Sequence, residues 1–188
     1  NHSPPYIVPT DERNFVLAGA RVPVGGNGWR IFTIPVSSTF VFGQVTATPP
    51  VTQTQVNIVG TYFQNQLGWV FEQGEDEYSS LLYWNPTSGE VTQISAAAAA
   101  PHMDSDAVGQ VAAFIENEDI RVVRIGRDGS VSNIGTIGRA NRLGHTPQVA
   151  MDGRGGGAVV WYRVDQGARS TVLFARFGAQ GGLSAEYT

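Results

Sequence analysis

The chain has 188 residues, 41% of them hydrophobic and 10% aromatic, which suits one globular domain and excludes a disordered segment. Cysteine is absent, which excludes disulfide scaffolds, thiolate nucleophiles and Cys-based zinc sites. Lysine is absent too, so all twelve basic residues are Arg, and Schiff-base chemistry and a P-loop lysine are excluded.

Net charge is −4 but uneven: residues 1–100 carry three Arg against seven acids, and residues 101–188 nine of each. No basic stripe results, so nucleic acid is not an expected partner. No apolar run approaches the ~20 residues of a membrane helix, and membrane insertion is not expected. No positively charged leader opens the chain.

In chain order, "NHSPPYIVPT" (1–10) reads as an extended arm that could tether the chain to a larger body. Residues 19–46 form a divergent β unit with Trp29 or Phe32 as its aromatic, and residues 1–50 together make an N-terminal region. "TATPPVTQTQ" (46–55) is a Pro/Thr-rich linker into a β-repeat region over 51–188. The first repeat, near 56–95, has Phe71 as its aromatic and closes on Ser88-Gly89-Glu90-Val91. Its acidic run "EQGEDEY" (72–78) lacks a calcium-loop pattern and reads as a solvated hairpin tip, as does "ENED" (116–119) in the next copy. "SAAAAA" (95–100) is helix-prone, too short to stand alone, and stopped by Pro101.

The second repeat occupies 101–138 and the third 145–184. Pro101 aligns with Pro147, Asp106 with Asp152, Gly109 with Gly155 and Phe114 with Trp161. In the third copy, Gly153 to Gly157 precede Ala158, Val159, Val160 and Trp161, which is strand composition, so the glycines form a turn and not a phosphate loop. Three or four units of 40–50 residues, each of about four short strands, predict an all-β, propeller-like array of antiparallel four-stranded units. A β-sandwich or jelly roll is the alternative.

The series Pro147, Val149, Ala150, Asp152, Gly155, Ala158, Trp161, Ala175, Arg176, Gly181, Leu183 and Ser184 resembles the degenerate repeats of bacterial secreted β-propellers. The resemblance covers mainly residues 101–184 and implies a blade fold, with no particular activity. An extracellular or particle-surface location is expected.

His102, Asp104 and Asp106 form H-x-D-x-D on one face of a strand, which suggests a metal cluster; Asp and His before a turn more often satisfy backbone groups, so no metal and no cofactor is expected. Trp69, Phe114 and Trp161 are expected in the core. Tyr83 and Trp84 are neighbours on one strand, so alternation sends one inward and one outward. Tyr78, Tyr83, Trp84 and Tyr162 are therefore the candidates for exposed aromatics that bind a ligand, by stacking on a sugar ring. The expected function is a non-enzymatic recognition module for a glycan or protein surface. The alternatives are a protruding or receptor-binding domain of a viral capsid or other assembly, and a sialidase-like hydrolase, with which "GRDGSVS" (126–132) does not agree. Either residues 1–50 complete the ring, or self-association or docking on a larger body is expected to cover the open face, with the C-terminal copy as the exposed flank.

Overall fold

A computed structural model describes residues 5–10, 13–26, 28–49, 51, 53–74, 79–139, 146–164 and 170–188. These form fifteen strands and no helix, paired antiparallel throughout. Sheet one joins β1 (Tyr6–Pro9), β2 (Phe15–Arg21), β3 (Arg30–Val36) and β4 (Thr46–Ala47) in sequence order. A seven-stranded sheet follows, holding β5 (Gln55–Phe63), β6 (Gln66–Gln73), β7 (Ser79–Trp84), β8 (Val91–Ser105), β9 (Gln110–Glu116), β10 (Asp119–Ile125) and β11 (Val131–Arg139). The last sheet contains β12 (Gln148–Met151), β13 (Gly157–Val164), β14 (Ser170–Gly178) and β15 (Gly181–Leu183).

The seven-stranded sheet is two four-stranded units sharing one strand. Residues 91–98 of β8 pair with β7 as the last strand of one unit, and residues 98–105 pair with β9 as the first strand of the next. The alanines of 96–100 are thus strand and not the short helical linker their propensity suggests. Ala98 and Ala99 are buried where the strand crosses between units. Ala100 sits at φ 54 where the register slips between Ala99 and His102, and its N–H donates to Glu72 Oε1 at 2.7 Å.

The first strands of the four units, β1, β5, the second half of β8, and β12, pack one against the next around a common line. Three core clusters fill the spaces between successive units. Val8, Val16, Ala18 and Ile31 meet Trp69, Phe71 and Trp84; Val70, Leu81 and Tyr83 meet Phe114 and Val123; Val111, Ala113 and Ile115 meet Val159, Trp161 and Leu173. A two-sheet sandwich has one such space, so the sandwich alternative does not describe this chain. Among the described residues, the first and last units show no packing of the kind that joins neighbours.

Two further sequence readings change. Residues 6–9 of the opening arm are strand β1, with Val8 only 3% exposed inside the first cluster, because an alternating Y-I-V-P segment finds an edge to pair with on β2. The acidic tips are not free surface at their bases. Glu72 is buried and accepts from Asn57 Nδ2 and Ala100 N–H, while Glu116 is ion-paired with Arg121 at 2.8 Å and accepts from the Ser95 hydroxyl. A carboxylate at an inter-unit seam is retained by such donors because an unpaired one would be costly to bury.

Candidate functional site

The H-x-D-x-D face is where the structure is most specific. His102 Nδ1 accepts the Val149 N–H at 3.2 Å, Asp104 Oδ2 the Met151 N–H at 2.8 Å, and Asp106 Oδ2 the Gly155 N–H at 2.8 Å. Alternation along β8 aims His102 and Asp104 at the exposed N–H edge of β12, and Asp106, in the turn just past β8, meets the turn after β12, so the three lace one unit to the next. Because each takes a separate donor, they do not converge; among the described residues no group of three acidic or imidazole side chains is arranged to hold a metal ion. Asp106 Oδ1 also accepts the N–H groups of Val108 and Gly109, closing a turn, and Arg124 reaches across to the Gly155 carbonyl at 2.7 Å. Burial pushes the Asp106 pKa up, but the Gly155, Val108 and Gly109 N–H donors and Arg124 outweigh it, so the carboxyl is held below its usual range.

Burial lowers the His102 pKa, with nearby Asp104 opposing. Acceptance at Nδ1 requires the neutral ring with its proton on Nε2. The unfolded chain therefore binds the proton at higher pH than the folded one, and stability rises with pH in this region. His102's contribution is complete above its ordinary value of 6.5 and is lost as pH falls through it. Urea melts at about pH 5 and 7.5 are expected to show that loss, and His102→Gln, whose amide oxygen can accept the same N–H, is expected to reduce it. An unchanged profile in that variant would contradict the assignment.

The four aromatic candidates are not brought together. Tyr78 lies outside the described residues. Tyr83 and Trp84 are each 1% exposed, which corrects the expectation that one faces outward. Strand β7 belongs to an inner unit covered on both faces, so Tyr83 enters the second cluster and Trp84 the first. The Tyr83 hydroxyl donates to Gln110 Oε1 at 3.2 Å, and burial pushes its pKa up to about 12. Tyr162 alone is exposed, at 43%, on the outer face of the last unit. The expected core aromatics Trp69, Phe114 and Trp161 are all buried.

A groove of about 380 Å³ that no sequence reading marked lies between the first and second units, beside the ends of their first strands. Phe15, Leu67, Phe42 and Tyr62 give it apolar faces, and Asn14 and Ser37 line it as well. Two loops shape it. In the β5–β6 hairpin, Gln64 and Asn65 both take positive φ, as a tight primed turn demands, and Asn65 Oδ1 accepts the Tyr62 hydroxyl at 3.3 Å. In the other, the Ser37 hydroxyl accepts the Val41 N–H and Phe40 is held at φ 59, a conformation bulky residues seldom adopt. Phe40, Val41 and Phe42 are all exposed there. The asparagine of "FQNQ" was the available sign of the hairpin; nothing in "SSTFVF" signals the second loop.

No family model matches the chain, and no curated protein matches its sequence. Its fold does match solved structures. The Dos1 propeller aligns over 97% of this chain at 12% identity with a TM-score of 0.59, and the chain spans 47% of that structure. A GH43 endo-arabinanase from Bacillus licheniformis aligns over 96% at 12% identity (TM-score 0.52), and an α-L-arabinofuranosidase from Lactobacillus brevis over 97% at 9% (TM-score 0.53). The chain spans 76% and 74% of these two. At such identities the likeness shows a propeller-type fold alone. It overturns the expectation of a non-enzymatic module, whether for glycan, protein surface or particle, because this architecture is shared with glycan-cleaving enzymes. The fold is no ground for reading the chain as lacking activity.

Proposed function

We propose that the chain supplies four blades of a glycan-processing propeller, with the substrate seated in the groove between its first two blades. The groove itself is the observation that supports a bound glycan, and the glycan-cleaving neighbours are what favour processing over binding alone. Sugar rings present C–H faces that pack on aromatic rings, and Tyr62, Phe15 and Phe42 offer such faces beside Asn14 and Ser37, which can hydrogen-bond hydroxyls. The strained Phe40 supports it, since backbone outliers concentrate at functional sites. Asp104 and Asp106 are saturated by backbone N–H groups and belong to the scaffold. Neighbours that include an endo-arabinanase and an arabinofuranosidase favour arabinose-containing polymers as the first substrates to try. The resemblance of residues 101–184 to secreted bacterial repeats fits polymer processing outside the cell.

The test is release of reducing ends from linear and branched arabinan by the whole chain. Tyr62→Ala is expected to lower kcat/KM by about tenfold, the equivalent of one lost aromatic contact. No release from any arabinan, with no oligosaccharide-induced change in the nuclear magnetic resonance signals of Tyr62 and Asn14, would remove the proposal.

A further inference from the structure

The two outer faces of the array differ from the inner ones in a matched way. At every inner seam the following unit offers an aromatic side chain at one position of its second strand: Phe71, Phe114 and Trp161, each buried against the unit before it. Strand pairing places Gly19 at that position in the first unit, because Pro9 opposes Phe15 as Met151 opposes Gly157, and four residues on lie Gly19 and Trp161. A Cβ at Gly19 would meet nothing within 4 Å, and a hollow of about 330 Å³ opens there, bounded by Leu17, Arg21, Phe32, Ile34 and Val45. The last unit shows the converse. Its Tyr162 takes the place that Ile115 holds in the unit before, in the cluster where Ile115 lies with Trp161. Tyr162 stands exposed with Val160, Val172 and Tyr187, whose ring stacks on the half-buried Phe174. The seam's large side chain has moved from one face to the other.

The polar lacing matches as well. Repeat positions put Gln148, Ala150 and Asp152 where the unit before has His102, Asp104 and Asp106, and Ile7, Pro9 and Arg13 where the last unit has Val149, Met151 and Gly155. Pro9 has no N–H to give, and opposite it Ala150 has no acceptor to offer. Gln148, with an amide oxygen, would face the Ile7 N–H. Asp152 Oδ1 closes its own turn on the Arg154 and Gly156 N–H groups, and among the described residues Oδ2 accepts no hydrogen bond. The first unit has a turn of equal length at the matching place, closed by the same bond: Thr10 N–H to Asn14 O, as Asp152 N–H to Gly156 O.

We infer that the exposed face of the last unit is built to be covered by the first unit of a second copy of this chain, with Tyr162 filling the hollow over Gly19. Two copies joined head to tail at both seams close a ring of eight units, the upper end of the usual propeller range. The inference rests on the seams and not on the glycan reading, whose groove neither Gly19 nor Tyr162 lines.

Light scattering on the whole chain at tens of micromolar tests it. The expected mass is twice the 20.1 kDa of one copy. Tyr162→Ala is expected to give a monomer, and so is Gly19→Phe, whose added Cβ meets nothing within 4 Å and whose ring would occupy the hollow; a cooperative melt of that variant checks that it still folds. Combining the two returns the aromatic to its usual side and is expected to restore the pair. A strict monomer, a pair that survives both single substitutions, or an open ladder of masses would each overturn the inference.

Discussion

Trp84→Ala is expected to destabilise the protein by about 3–5 kcal/mol, as much as Trp161→Ala, the usual cost of emptying a buried indole site. Simple alternation along β7 predicts otherwise, placing Tyr83 and Trp84 on opposite faces with one of them wet and cheap to remove. In the structure both faces of that strand are dry. Trp84 stands directly opposite Trp69 on the neighbouring strand, and the pair fills the first seam together with Phe71 and the small side chains Val16, Ala18 and Ala20. Those small partners cannot swing into the void, so the cavity should stay open. The indole N–H groups of Trp69, Trp84 and Trp161 find no acceptor among the described residues. An orphaned buried donor costs about 1–3 kcal/mol, so Trp84→Phe should recover part of the loss by removing it. Urea melts of the three variants check this; a cost under about 1 kcal/mol for Trp84→Ala would mean the site is wet after all.

Gly60→Ala is expected to cost at least about 1–3 kcal/mol, the range for overpacking, although it adds a single methyl group. Gly60 pairs directly with Trp69, whose ring lies flat over the glycine: a Cβ there would sit 2.3 Å from Trp69 Cε3 and 2.4 Å from Cζ3. The ring cannot give way, because Trp69 is fully buried and meets Tyr6 edge-on at 6.3 Å between centroids. Relief would require β5 to move, and β5 is the first strand of its unit, in contact with β1 and β8 on either side. Gly19→Ala is the control, since its added methyl meets nothing. Thermal melts that place the two alanine variants together would show that the ring can tilt.

Much of the array was legible in the chain because its signals are local. The Asp106 and Asp152 turns, the strand composition of 158–162 and the aligned aromatics each depend on a few consecutive residues, and turn geometry demands those residues directly. The readings that failed depend on what lies across a seam. Five alanines favour a helix when judged by propensity, yet they run as strand because the stretch pairs with β7 at one end and β9 at the other. His102, Asp104 and Asp106 could be placed on one face, but whether that face meets a metal ion, water or a neighbour's N–H groups is not written in the strand that bears them. The groove was missed for the same reason: Phe15, Phe42, Tyr62 and Leu67 come from three hairpins of two units.

By itself the sequence determined the all-β character, the period of the units and the positions of the turns, since alternation, β-branched and aromatic content and glycine or aspartate at fixed offsets act within about ten residues. Only the tertiary structure decided which faces are dry, which carboxylates lace and which aromatics remain exposed. Burial is a property of a pair of surfaces, and a strand carries the chemistry of one. Tyr83, Trp84 and Tyr162 have closely similar local sequence settings, and they differ because two units flank β7 whereas one alone flanks β13.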